Sequence, residues 1–111
     1  MAETISIQEF SRLDLRVGRV LDVRDHPNAS KLYLIDVDLG PEIGQRQTVA
    51  GLKSYMPPEA LKDQLVIMVA NLEAATLRGE RSEGMLLAAQ EGDNVVCLTV
   101  ASPLAPGSKV L

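Results

Sequence analysis

Few residues in this chain are suited to chemistry. His26 is the single histidine and Cys97 the single cysteine among 111 residues. They stand far apart, and one of each does not supply a zinc site of the usual Cys/His kind. A Cys97–His26 nucleophilic pair is the one thiol chemistry the composition permits. Against it, Cys97 falls in the alternating apolar stretch Val95–Val100, which predicts a buried, inert thiol. His26 precedes Pro27 in a turn cluster, which predicts a surface turn residue. Asp36 and Asp38 share one face of a strand pattern, where carboxylates describe a solvent side better than an acid–base pair. The stretch Gly79–Gly84 lacks the Gly-Lys-Ser/Thr ending of a phosphate-cradling loop. The expectation is therefore no enzyme, no metal and no cofactor.

The remaining candidates concern binding. Lys31 follows a turn containing Asn28 and Ser30, and Arg78 and Arg81 stand in a loop ending at Ser82. A phosphate contact needs a cation with amide or hydroxyl donors beside it, and both places offer that mixture. The plain alternative is a solvated loop charge at each. Met85 opens an apolar run, and the pattern alone places it in the core; an exposed, flexible contact for a base or sugar is the other reading. Phe10, Tyr33 and Tyr55 are the only aromatic residues. Three rings do not make a long base-stacking track, so a nucleic-acid role would depend on shape and backbone contacts. Eleven Lys and Arg against 15 Asp and Glu leave a net charge of −4, opposite in sign to the usual nucleic-acid binder. Cations gathered on one face would reconcile the two.

Positioning those residues requires a β framework. Leu13–Val23 alternates with period two, odd positions apolar except Arg19, and Gly18 inside it predicts a bulge or sharp coil. Turn residues 25–28 lead to a second strand over Lys31–Leu39, and a third is predicted over Gln45–Ala50. Ser54–Asp63 has room for a short helix, with Pro57 and Pro58 suited to its first turn. Leu65–Ala70 reads as a central strand, Gly84–Ala89 as a fifth, Val95–Val100 as a sixth and Lys109–Leu111 as a last short one. The fold class expected is all-β with one short helix. Five main strands with a helix between the third and fourth match the OB-fold barrel, which often binds oligonucleotides. The C-terminal strands exceed that minimum, so they either pair in a two-fold dimer or fold back over the barrel. The longest apolar run, Leu65–Ala70, is too short to span a membrane. The first five residues lack a basic and an apolar signal region, and a lone cysteine suits a reducing compartment, so a cytoplasmic location is expected.

A family resemblance adds to this reading. Phe10-x-x-x-Asp14-Leu15-Arg16-Val17-Gly18, His26-Pro27-Asn28-Ala29-Ser30-Lys31-Leu32 and Val49-Ala50-Gly51-Leu52 occur in order. Val69-Ala70-Asn71-Leu72, Leu77-Arg78-Gly79, Ser82-x-Gly84-Met85-Leu86-Leu87-Ala88-Ala89 and Pro106-Gly107-Ser108-Lys109-Val110 follow. This series resembles the tRNA-binding domain at the C-terminus of many bacterial methionyl-tRNA synthetases, also found in free-standing tRNA-binding proteins of about this length. It covers roughly residues 8–111. The resemblance implies an OB-fold, a homodimer formed through the C-terminal extension, and binding to the outside corner of tRNA by shape. It places Asn28, Lys31, Arg78, Ser82 and Met85 on the tRNA-contacting blocks, with an aminoacyl-tRNA synthetase as a potential partner. Two departures stand out. Ser30 replaces a common acidic residue, and the order Glu80-Arg81 would shift a phosphate contact to Arg81. A related branch resembles small export chaperones, which implies the alternative of a dimer binding unfolded or presecretory polypeptides.

Overall fold

The computed structural model describes residues 3–111. Its centre is a five-stranded antiparallel sheet in the order β3-β2-β1-β4-β7, curled into a nearly closed barrel. The strands are β1 (Leu15–Asp25), β2 (Tyr33–Asp38), β3 (Gln45–Ala50), β4 (Leu65–Val69) and β7 (Met85–Leu86). Between β4 and β7 comes a hairpin of β5 (Ala75–Leu77) and β6 (Glu80–Ser82); after β7 comes another of β8 (Ala88–Glu91) and β9 (Asn94–Cys97). This is the OB arrangement expected. β6 and the residue after it close the gap between the sheet's two edges: the Glu83 amide donates to Gln47 O at 2.8 Å.

Strand β1 is long enough to pair with both β2 and β4 only because it coils. Gly18 permits the coil, since a Cβ there would lie 2.5 Å from Val37 Cγ1 and 2.9 Å from Leu39 Cδ2. The bulge comes slightly later than Gly18. Val20 pairs with Val37 and Asp22 with Asp36, so Leu21 is skipped and left on the surface. The expectation that odd positions of β1 face one core is thereby corrected. Val20 lies in the barrel interior with Ile35, Val37, Val66, Met68 and Leu86, each such side chain stabilising the fold by about 1.5–3 kcal/mol. Leu15 and Val17 are also buried but stand outside that cluster, where the C-terminal tail covers β1: the Val17 amide donates to Ser108 O at 2.8 Å and the Val110 amide to Leu15 O at 2.9 Å.

Among the described residues, three short helices replace the single one expected. α3 (Pro58–Leu61) falls where it was predicted and places Leu61 in the core. α2 (Gly40–Ile43) occupies a stretch read as a turn. α1 (Ile7–Phe10) was not foreseen, although Ser6-x-x-Glu9 is a capping box: the Glu9 amide donates to Ser6 Oγ and the Ser6 amide to Glu9 Oε1, both at 3.1 Å. The predicted fifth strand splits in two, β9 stops at Cys97, and the last strand reduces to a single Arg16–Lys109 bridge. The tail thus folds back on its own barrel, while the β8–β9 hairpin leaves Val96, and the segment after it Leu98 and Leu104, exposed.

Candidate nucleic-acid interface

Two connections meet at one edge of the barrel. The first is the β1–β2 turn, closed by the His26 amide donating to Leu32 O at 3.1 Å. It carries Asn28 and Lys31, both exposed. The second is the β5–β6 hairpin, with Arg78 and Gly79 at its tip. Both have positive φ, +53° and +89°, the requirement of a type I′ turn. Glycine or asparagine is the usual residue at Arg78's position, so the arginine is held in a conformation its backbone disfavours.

Side chains of the turn bridge to main-chain carbonyls of the hairpin. His26 Nε2 lies 2.9 Å from Leu77 O, and Asn28 Nδ2 donates to Arg78 O at 3.2 Å. The structure therefore brings Asn28 and Arg78 together, with Lys31 on the same turn as Asn28. Met85 is half exposed, which overturns the core placement its pattern suggested. It shares an open cavity of about 220 Å³ with Leu77, Ser82 and Val49.

Ser82 differs from the other four. Its side chain is buried. Its Oγ accepts from the Val49 amide at 3.0 Å and donates to Gly84 O at 3.3 Å, beside Thr48 Oγ1, which donates to the same carbonyl at 2.9 Å. The hydroxyl expected to face a phosphate instead ties β6 to β3. His26 also departs from expectation: it is 5% exposed rather than a surface turn residue. Its role was missed in the sequence, though a ring acceptor two residues before an amide in a proline-containing turn has the geometry of an Asx turn.

The charges explain how an acidic chain presents cations here. Asp25 is paired with Lys53 at 3.1 Å and Glu83 with Arg81 at 3.6 Å. Among the described residues, Lys31 and Arg78 enter no ion pair. Arg81, the alternative phosphate contact, is already engaged by Glu83. Asp36 is held by Arg24 at 3.0 Å and Asp38 by the Gly40 amide at 2.8 Å, so neither carboxylate is free for acid–base work. Cys97 packs against the core, and burial pushes its thiol pKa up, away from a reactive thiolate.

A small OB barrel whose bridged loops carry two cations has the architecture shared by many oligonucleotide-binding modules. The particular family follows from comparison with known proteins. Residues 15–109 match the tRNA binding domain family, and the chain belongs to it. The chain is 52% identical over 108 residues to a methionine–tRNA ligase of Pyrococcus horikoshii, covering 97% of this chain and 15% of that protein. It is 46% identical over 106 residues to the ligase of Thermotoga maritima, covering 96% and 16%. This chain therefore spans about one-seventh of the ligases' length. A solved MetRS-related protein of Pyrococcus horikoshii superposes with a TM-score of 0.90 at 30% identity, covering 99% of this chain and all of that one. A CsaA chaperone protein from Picrophilus torridus also reaches 0.90 at 30% identity, covering 97% of this chain and all of that one.

Proposed function

We propose that residues 8–111 form one non-catalytic domain that binds tRNA through the edge carrying Asn28, Lys31, Arg78 and Met85. The observation that carries this reading is the bridged pair of loops holding two cations without carboxylate partners. Lys31 and Arg78 meet phosphates, Asn28 adds an amide donor, and Met85 packs on a sugar or base. Ser82 acts from beneath, by fixing β6 on β3. Recognition is of shape rather than sequence: Tyr33 is buried and Phe10 lies on α1, which leaves Tyr55 as the one well-exposed aromatic residue off that helix. The protein works in the cytoplasm as a homodimer through its C-terminal extension, and two edges on one tRNA raise the avidity of modest sites. Its kinship with methionine–tRNA ligases supports a role beside an aminoacyl-tRNA synthetase.

The test is binding of the purified protein to total tRNA at two salt concentrations, with Lys31→Ala and Arg78→Ala beside the wild type. Each substitution should weaken binding about 3- to 10-fold and lower the magnitude of the log–log salt slope by roughly 0.7–0.9. Absence of wild-type binding at low salt, or no loss in either variant, defeats the proposal. The resemblance to a chaperone supports a second reading, since Ile5, Ile7, Phe10 and Leu13 expose apolar surface. Capture of an unfolded polypeptide in place of tRNA would favour it. Light scattering at 12.0 kDa rather than twice that mass would remove the dimer.

A further inference from the structure

His26 is buried at the contact between the two loops. Its two ring nitrogens have different partners. Nδ1 lies 2.9 Å from the Asn28 amide, which only donates, so Nδ1 carries no hydrogen. Nε2 lies 2.9 Å from Leu77 O, which only accepts, so Nε2 carries the hydrogen. One neutral tautomer satisfies both. The ring thereby orders its own turn with one nitrogen and grips the neighbouring hairpin with the other.

The hairpin needs that grip. β5 and β6 are three residues each, and every residue of β5 is exposed. A two-stranded hairpin of this size is marginal by itself. Its β6 side is anchored to β3, by Gln47 Nε2 donating to Arg81 O at 2.8 Å and by Ser82. Its β5 side and tip are held by two bonds to successive carbonyls, His26 to Leu77 O and Asn28 to Arg78 O. Asn28 is exposed and contacts solvent, whereas His26 is enclosed, so the histidine bond is the less exchangeable of the two.

We propose that His26 is a positioning residue of this interface: its Nε2–H···O bond to Leu77 fixes the hairpin tip against the β1–β2 turn, setting the separation of Arg78 from Lys31. The inference rests on the tRNA-binding reading above. It makes no contact between His26 and RNA. It assigns the ring the task of holding two cations at a spacing that a rigid phosphate backbone accepts without reordering the loop first.

Two substitutions separate the ring's two bonds. In His26→Asn the side-chain oxygen replaces Nδ1, but the shorter chain does not reach Leu77. In His26→Gln the amide nitrogen replaces Nε2 and restores the bridge, while the bond within the turn is lost. The expected result is that His26→Asn binds total tRNA about tenfold more weakly and His26→Gln stays within about threefold of wild type. Salt slopes should remain unchanged in both, because no phosphate contact is removed. Thermal unfolding and binding stoichiometry confirm that equal fractions are folded. In the free protein, amide exchange at Arg78–Arg81 should accelerate in His26→Asn and not in His26→Gln. Nitrogen NMR of the single imidazole should show a protonated Nε2 and a bare Nδ1 in the wild type.

Equal binding by folded His26→Asn and wild type, or loss of binding by both variants alike, overturns the inference. So does the opposite tautomer. If the wild type fails to bind tRNA, the functional reading falls; amide exchange still decides whether the histidine holds the hairpin.

Discussion

The two ends of β1 are fastened by different chemistry. At the start, charge is used internally. Arg16 Nε donates to Asp14 Oδ1 at 2.6 Å, its Nη1 donates to Gly107 O at 3.1 Å, and Glu42 stands 3.9 Å away. The hydrogen bond to Asp14 raises the guanidinium pKa further, so Arg16 keeps its charge. Asn71 adds a neutral staple, accepting from the Asp14 amide and donating to Arg12 O. Just past the far end, at His26, the fastening between the two loops is neutral. Although Lys53 pairs with Asp25 and Arg24 with Asp36, Lys31 and Arg78 enter no ion pair among the described residues. An ion pair is worth little on an exposed surface but fixes a geometry when it also binds a carbonyl. A neutral bridge fixes geometry without consuming a cation. The contrast sets an end fastened by charge apart from the end that the proposed function uses for binding.

The strongest way to break that division is Gly107→Ala. Gly107 sits at φ +94°, and a Cβ would lie 2.7 Å from Leu39 O, a backbone atom that cannot turn aside. The cost of the left-handed backbone and the clash together should be about 2–3 kcal/mol, read by urea unfolding. The folded fraction should bind tRNA within about twofold of wild type. A tenfold loss of affinity with unchanged stability would show that the two ends are not separate.

A smaller effect belongs to Tyr33, which pairs with Asp25 at the His26 end. Its hydroxyl donates to Met56 O at 2.8 Å, and burial, then the Asp25 charge, raises its pKa above the ordinary phenol value. A raised folded pKa contributes stability that is present below the unfolded pKa of about 10 and lost as pH climbs through the folded one. The partly buried Cys97 thiol, its pKa also raised by burial, acts in the same direction. Tyr33→Phe should cost about 1 kcal/mol at neutral pH and flatten the alkaline decline. Chemical unfolding across pH 7–11 measures both. A variant whose decline matches the wild type would transfer the alkaline sensitivity elsewhere, to Cys97 first.

Much of the frame was legible because period two and turn residues act locally. β3 was placed to the residue, and α3 fell within its predicted window. The parity of β1 was not legible, since Gly18 gives no sign of which face the tail will cover. Of the motif blocks, only the residues Asn28, Lys31, Arg78, Ser82 and Met85 were read as RNA contacts, and in space several blocks grip each other. Arg16 holds Gly107, His26 holds Leu77, and Ser82 holds Val49. Spacing in a sequence does not show such pairings, because the partners lie 33 to 91 residues apart. Ser82 therefore looked like a surface hydroxyl, and His26 like an idle turn residue. Lys31 and Arg78 were easier: a charge following a turn, or within one, has few places to go except outward.

Arg78 gives the finest test of the comparison, because there folding and binding pull in opposite directions. At φ +53° an arginine has no backbone advantage, and its side chain makes no ion pair among the described residues. Asparagine accepts this left-handed position more readily, and the carbonyl that receives the Asn28 bond is retained. Arg78→Asn should therefore raise stability by about 0.5 kcal/mol while weakening tRNA binding several-fold. Arg78→Lys should leave stability near wild type and recover part of the affinity, since it restores charge without the planar fork. Paired unfolding and binding measurements on the three proteins decide the matter. If Arg78→Asn loses stability instead, the arginine supports the hairpin, and the His26 end of β1 is less purely a binding end than its neutral bridges imply.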